Sequence, residues 1–176
     1  MENKKLSVNN IEYNVIKLLG KGKGGYSYLV ELNKNYYVLK QIHHEPCDYY
    51  QFGNKIEAEM HDYQRLLKTR INLPKLIDVD IQNERIIKEY IDGPTIYELV
   101  KEDKMKDIYI KIVKDMARKC QECNLNIDYY PTNFIVQNND LYYIDYECNI
   151  YDEKWNFENW GYKYWYKSED YLNTLK

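Results

Sequence analysis

Apolar and polar positions alternate along the first part of the chain, then switch to a helical period after about residue 53. Ile11 to Leu19, Ser27 to Leu32 and Tyr36 to Ile42 carry β-branched and aromatic residues in that alternation, so each predicts a strand. Asn33-Lys34-Asn35 supplies a turn between the last two. From about Asn54 to Lys68 the spacing of Ile56, Met60, Tyr63 and Leu67 predicts an amphipathic helix, with Pro74 beyond its end. Leu76 to Asp80 and Arg85 to Tyr90 predict two further short strands. The expected first lobe is therefore a five-stranded antiparallel sheet with one helix.

Gly93-Pro94 breaks the pattern. A short helix is expected from Thr95 to Lys101, and a longer one from about Lys106 to Glu122. The stripe of the longer helix is Ile108, Ile112, Val113, Met116 and Cys120. Phe134 to Gln137 and Leu141 to Ile144 predict a hairpin around Asn138-Asn139-Asp140. The tail is expected to be helical from about Phe157. The class is α+β, with a β-rich lobe over 1–91, a hinge at Gly93 and a reduced, mainly helical lobe over 92–176.

A chain of 176 residues suits one compact domain or two small lobes sharing a cleft. Apolar content of 44% supports a core, and the net charge of -3 gives no general attraction to nucleic acid or membrane. No apolar run is long enough to span a bilayer, and Met1-Glu2-Asn3-Lys4-Lys5 leads into polar residues, so the expected location is cytoplasmic. Cys120 and Cys123 form a C-x-x-C without a second pair at zinc spacing, so they read as ordinary thiols. His43-His44 also lacks partners at ligand spacing and reads as a solvated strand end. The 21 tyrosines point to no particular chemistry.

The candidate chemistry lies in four elements taken in order. Gly20-Lys21-Gly22-Lys23-Gly24-Gly25 fits G-x-G-x-x-G at Gly20, Gly22 and Gly25. A dinucleotide fingerprint requires a helix next, whereas here a strand follows, and no G-K-[ST] closes a Walker loop. A strand-turn-strand unit of this kind closes backbone N–H groups over phosphates. Lys40 follows on a strand in Tyr37-Val38-Leu39-Lys40. A buried lysine requires a facing carboxylate. Glu57 and Glu59 compete, and the helical wheel sets Glu59 nearer to Ile56, Tyr63 and Leu66. Asp128 opens D-x-x-x-x-N, ending at Asn133, and Asp145 ends an apolar strand about a dozen residues later. A carboxylate such as Asp128 can deprotonate a hydroxyl, and the oxygens of Asn133 and Asp145 suit Mg²⁺. The ordered set is that of a nucleotide triphosphate site with its metal ions.

On these motifs the chain resembles the protein-kinase-like superfamily in a very short form. Glu89-Tyr90-Ile91-Asp92-Gly93-Pro94-Thr95-Ile96 is similar to the hinge of the small atypical kinase of the tRNA-modifying KEOPS complex, and RIO-type kinases are similarly short. The resemblance implies a bilobal fold that uses ATP and Mg²⁺. It implies Asp128 as base, Lys40 held by Glu59 on the phosphates, and Asn133 and Asp145 on metal. It also implies that the backbone of Glu89 to Ile91 contacts adenine.

There are departures. Asn126 stands where many kinases have histidine, and Tyr130 where many have lysine. Asp145-Tyr146-Glu147 replaces D-F-G and looks more like choline and ethanolamine kinases, in which an extra carboxylate, here Glu147, stands beside the metal. About thirty residues follow Asp145, without A-P-E, so no activation segment or ordinary peptide-docking groove is expected. The expected activity is transfer from ATP to a hydroxyl acceptor in the manner of an atypical serine/threonine kinase. The alternatives are a small-molecule kinase of the choline or aminoglycoside type and a nucleotide-binding pseudokinase within a complex. The tail aromatics Trp155, Phe157, Trp160, Tyr162, Tyr164, Trp165 and Tyr166 read as core packing first, then as a partner interface or a quaternary-ammonium cage.

Overall fold

The computed structural model describes residues 4–46 and 53–176, so the first three residues of the polar opening stretch lie outside it. Contacts group the described residues into two units. The first contains those up to Glu59 together with Pro74–Tyr90. The second contains Met60–Leu73 and Ile91–Lys176.

The first unit is built on β1 (Lys5–Val8), β2 (Ile11–Lys21), β3 (Gly25–Leu32), β4 (Asn35–Ile42), β5 (Leu76–Asp80) and β6 (Arg85–Glu89). They form one antiparallel sheet in the order β1-β2-β3-β4-β6-β5. The sheet thus has one strand more than the five expected. β1 is only four residues long, too short for its alternation to register. Its turn into β2 has positive φ at Asn9 and Asn10, and the β3–β4 turn has the same at Asn33 and Lys34. Such turns match the twist of paired strands, and asparagine tolerates them. Val8, Tyr13, Val30, Leu39 and Ile87 form the core of this unit.

Helix α1 (Lys55–Leu67) begins in the first unit and contributes Met60 onward to the second. Its inner face carries Leu66, which is fully buried, whereas Leu67 is 47% exposed. The stripe expected at Leu67 therefore runs one residue earlier.

The second unit continues with α2 (Ile96–Lys101), α3 (Asp107–Glu122), β7 (Leu125–Ile127), β8 (Phe134–Gln137), β9 (Asp140–Tyr143), β10 (Cys148–Ile150) and α4 (Glu169–Asn173). A capping box between Thr95 and Glu98 starts α2, each residue satisfying a backbone N–H of the other's turn. On α3, Tyr109, Val113, Met116 and Cys120 face inward while Ile108 is 46% exposed, which removes Ile108 from the expected stripe. β8 and β9 form the expected hairpin, turning on positive φ at Asn138 and Asn139. The short pair β7–β10 has no counterpart in the sequence reading. The tail is helical from Phe157, as expected, but in short pieces. A π turn at Phe157–Gly161 and a 3₁₀ turn at Tyr162–Tyr164 precede α4. Trp165, Phe157 and Tyr171 are buried in the core shared by α2, α3, β8 and β9. The aromatic period follows packing of individual rings rather than a helix face.

Candidate functional site

In the first unit, β2 and β3 meet at the glycine turn. Two register shifts in β2, at Val15/Lys17 and Leu18/Gly20, twist the strand just ahead of it. The Gly22 N–H donates to the Gly25 carbonyl at 2.9 Å and closes the turn. A Cβ on Gly25 would lie 2.5 Å from the Gln41 carbonyl oxygen, so glycine is required there for β3 to approach β4. A Cβ on Gly20 would meet open space, and one on Gly22 would make only an ordinary contact, 3.9 Å from the Gly25 carbonyl oxygen.

Lys40 projects from β4, between Ser27 of β3 and Ile86 of β6 in the ladder. Its Nζ donates to Glu59 Oε2 at 2.7 Å, and the two side chains are 15% and 8% exposed. Glu57 is exposed instead. The Lys40 ammonium also lies 3.8 Å from where a Gly24 Cβ would stand, so the cation is beside the turn. The other Glu59 oxygen is buried without a hydrogen bond among the described residues. The Glu89 N–H is already bonded to the Lys75 carbonyl at 2.9 Å, so a ligand would have to use other backbone groups there. Ile91 is buried at the start of its segment in the second unit.

In the second unit the loop after β7 is held at several points. Asp128 Oδ1 accepts from the Tyr130 N–H at 3.0 Å, the turn-forming habit of aspartate. Asn133 Nδ2 donates to the Asp128 carbonyl at 3.3 Å, which turns Asn133 Oδ1 away from that contact. The Asn133 carbonyl accepts from the Ile144 N–H at 2.9 Å and so ties the loop to the residue before Asp145. Asp128, Asn133, Asp145 and Glu147 are all half-buried.

Two supports had no clear sequence signal. Tyr143 is fully buried, and its hydroxyl accepts from the Asp128 N–H at 3.3 Å while donating to the Glu147 carbonyl at 2.7 Å. Burial, then the charges of Asp145 and Asp128, hold this phenol well above its ordinary pKa. It therefore remains a neutral donor. The second support is α1. Arg65 donates to Asp62 at 2.6 Å and to the Cys148 carbonyl at 2.9 Å, while Asp62 accepts from the Cys148 N–H at 3.3 Å. Tyr63 packs on Tyr146 at 4.5 Å between ring centres, which anchors the residue after Asp145. The sequence placed Tyr143 only within the strand expected over Leu141 to Ile144 and gave no hint of its hydroxyl.

The tail braces the same loop. Trp165 Nε1–H donates to the Tyr129 carbonyl at 2.8 Å, and Phe157 and Phe134 pack edge-on against Trp165. Tyr130 is tilted against Tyr97 and edge-on to Tyr164. Asn126, in the position where many kinases have histidine, donates to the Asp152 carbonyl at 2.8 Å, with its own oxygen buried and unbonded among the described residues. Burial pushes the Cys120 and Cys148 thiols up to about 12, which makes them unreactive at neutral pH.

The donor set fits a hard cation completed by other ligands. The Asp145 carboxylate and Asn133 Oδ1 are oxygen donors with no hydrogen-bond partner among the described residues, the kind Mg²⁺ prefers. No group of three or more His, Cys, Asp or Glu among the described residues could cage a metal alone. A cavity of about 330 Å³ lined by Arg70, Ile71, Lys111 and Met116, among others, contains none of the candidate residues. No helix among the described residues is long and apolar enough to cross a membrane.

Comparison with known proteins agrees with this architecture. A profile of the RIO domain matches residues 12–156. A probable bifunctional tRNA threonylcarbamoyladenosine biosynthesis protein of Methanococcus vannielii is 32% identical over 84 residues, which is 47% of this chain and 15% of that protein. The KEOPS complex subunit Bud32 of Pyrococcus abyssi is 25% identical over 153 residues, 78% of this chain and 69% of the subunit. The crystal structure of the BubR1 kinase domain matches with a TM-score of 0.54 at 22% identity, over 82% of this chain and 49% of that one. The fold is protein-kinase-like and bilobal, of α+β class.

Proposed function

This chain belongs to the RIO domain family, and on that premise we propose that it is an ATP- and Mg²⁺-dependent phosphotransferase of the atypical serine/threonine kinase type. The observation that carries the reading is the Lys40–Glu59 pair at 2.7 Å, mostly withdrawn from solvent beside the glycine turn. Burying such a pair costs desolvation that two apolar side chains would avoid, so stability alone does not account for it. A cation held ready for phosphate does.

In this reading Lys40 meets the phosphates and Glu59 keeps its ammonium in place. The N–H groups at the tip of the glycine turn, which Gly20, Gly22 and Gly25 frame, close over the phosphates. Backbone groups between Glu89 and Ile91 take the adenine. Asn133 and Asp145 would hold Mg²⁺, with Glu147 as a nearby carboxylate, and the ion would neutralise charge on the phosphate oxygens. Asp128 orients the acceptor hydroxyl and takes its proton. The acceptor oxygen then bonds to the γ-phosphorus as the bond to the ADP oxygen breaks.

A second reading rests on a separate observation, the 78% of the chain that matches a KEOPS complex subunit. On that reading the chain works with a protein partner in a tRNA-modifying assembly, and its turnover of ATP depends on the partner. The small-molecule alternative rests on Glu147 and the aromatic tail, of which Trp165 and Phe157 are buried while Trp155, Tyr162 and Tyr166 are exposed; transfer of phosphate to a panel of amino-alcohols and aminoglycosides tests it.

Asp128→Asn tests the assignment. ATP affinity should stay within about twofold, while turnover falls roughly 10²–10⁴-fold, the usual contribution of a general base. Turnover equal to wild type would remove Asp128 from the mechanism.

A further inference from the structure

The segment after β4, read from sequence as a solvated strand end, grips the glycine turn. His43 Nε2 meets the Gly22 carbonyl at 3.0 Å, and the His43 N–H donates to the Gly24 carbonyl at 3.1 Å. His43 Nδ1 accepts from the Glu45 N–H at 3.2 Å. Together these contacts require the neutral tautomer with its proton on Nε2. The imidazole packs edge-on to Tyr26 at 5.3 Å, and the His43 carbonyl is held by the buried Lys55 ammonium at the start of α1. Glu45 adds bonds to Lys21 and to the Tyr26 hydroxyl, on either side of the turn.

We propose that His43 is a positioning residue for the phosphate-binding turn. In a trans peptide the carbonyl of one residue and the N–H of the next point in opposite directions. Holding the Gly22 carbonyl therefore aims the Lys23 N–H away from His43. The Lys23 and Gly24 amides at the tip have no partner among the described residues. With Lys40 Nζ close to Gly24, they form a small anion-binding concavity whose shape His43 maintains. A glycine-rich tip without this contact would lose order that phosphate binding must then restore, and affinity would fall accordingly.

The inference rests on the nucleotide reading, and its test separates the two. Calorimetry would compare ATP and adenosine on wild type, His43→Ala, His43→Gln and His44→Ala. His44 serves as a control because it meets Glu84 and does not touch the turn. His43→Ala should weaken ATP about five- to tenfold, the scale of one hydrogen bond, and leave adenosine affinity unchanged, with Tm lower by only a few degrees. His43→Gln, which retains a donor, should recover most of the loss, and His44→Ala should behave as wild type. Equal weakening of ATP and adenosine in His43→Ala, or no weakening of either, would overturn the positioning role. Failure of wild type to bind ATP at all would overturn the nucleotide reading beneath it.

Discussion

Tyr143→Phe deletes a single oxygen from a fully buried ring and leaves its volume nearly unchanged. The hydroxyl makes one short bond, to the Glu147 carbonyl at 2.7 Å, and one long bond, from the Asp128 N–H at 3.3 Å. Both backbone partners belong to half-buried residues, so water can compensate in part. A net hydrogen bond contributes about 1 kcal/mol, and a stranded buried group costs about 1–3. One good and one weak bond with partial rehydration give a loss of about 2 kcal/mol. For a chain of this size that corresponds to a Tm lower by about 4–8 °C. Urea unfolding with an unchanged m-value would measure it. Because the hydroxyl ties the backbone at Asp128 to that at Glu147, turnover should fall more than ATP affinity. A stability change below about 0.5 kcal/mol with wild-type turnover would refute the account of this bridge.

Two further substitutions probe the frame. A Cβ on Gly161 would stand 2.4 Å from Tyr129 Cβ, next to Asp128, in a buried contact with no flexible end to yield. Gly161→Ala should therefore destabilise by about 1–3 kcal/mol by overpacking, and a thermal melt matching wild type would contradict that contact. Asp80 accepts from Asn83 Nδ2, the Asn9 N–H and the Asn83 N–H, and these bonds depress its carboxyl from 3.8 to about 2. A depressed acid stabilises the fold above its unfolded value, and that contribution disappears as pH falls from about 4 through about 2. Asp80→Asn should flatten the acid limb in that window, and superimposable acid titrations of the two proteins would count against it.

The strands of the first unit were legible from their β-branched and aromatic residues between turn signals, although burial does not strictly alternate: Val38 and Leu39, neighbours on β4, are both buried. The partner of Lys40 was legible for the same kind of reason, since only Glu59 of the two glutamates lies near the buried face of α1. Contacts made across long sequence separations leave no local period. β7 and β10 are three residues each and recognise one another only through backbone pairing. The tail is helical from Phe157, as its spacing suggested, but the rings that pack around Phe134 and Tyr129 break it into short π, 3₁₀ and α pieces that no single period describes. The contact of His43 with the glycine turn was not legible, because it depends on a carbonyl 21 positions earlier and composition carries no trace of a backbone acceptor.

The central claim is a nucleotide site completed by metal, and thermal stability with ATP tests it most directly. Wild type and Asp145→Ala would be melted with ATP, with and without Mg²⁺. ATP at about a hundred times its Kd adds about 2.7 kcal/mol to the folded state. That predicts a rise of about 5–10 °C in wild type with Mg²⁺, a smaller one without it, and the loss of the metal-dependent part in Asp145→Ala. An unchanged Tm in wild type at millimolar ATP with Mg²⁺ would contradict the claim.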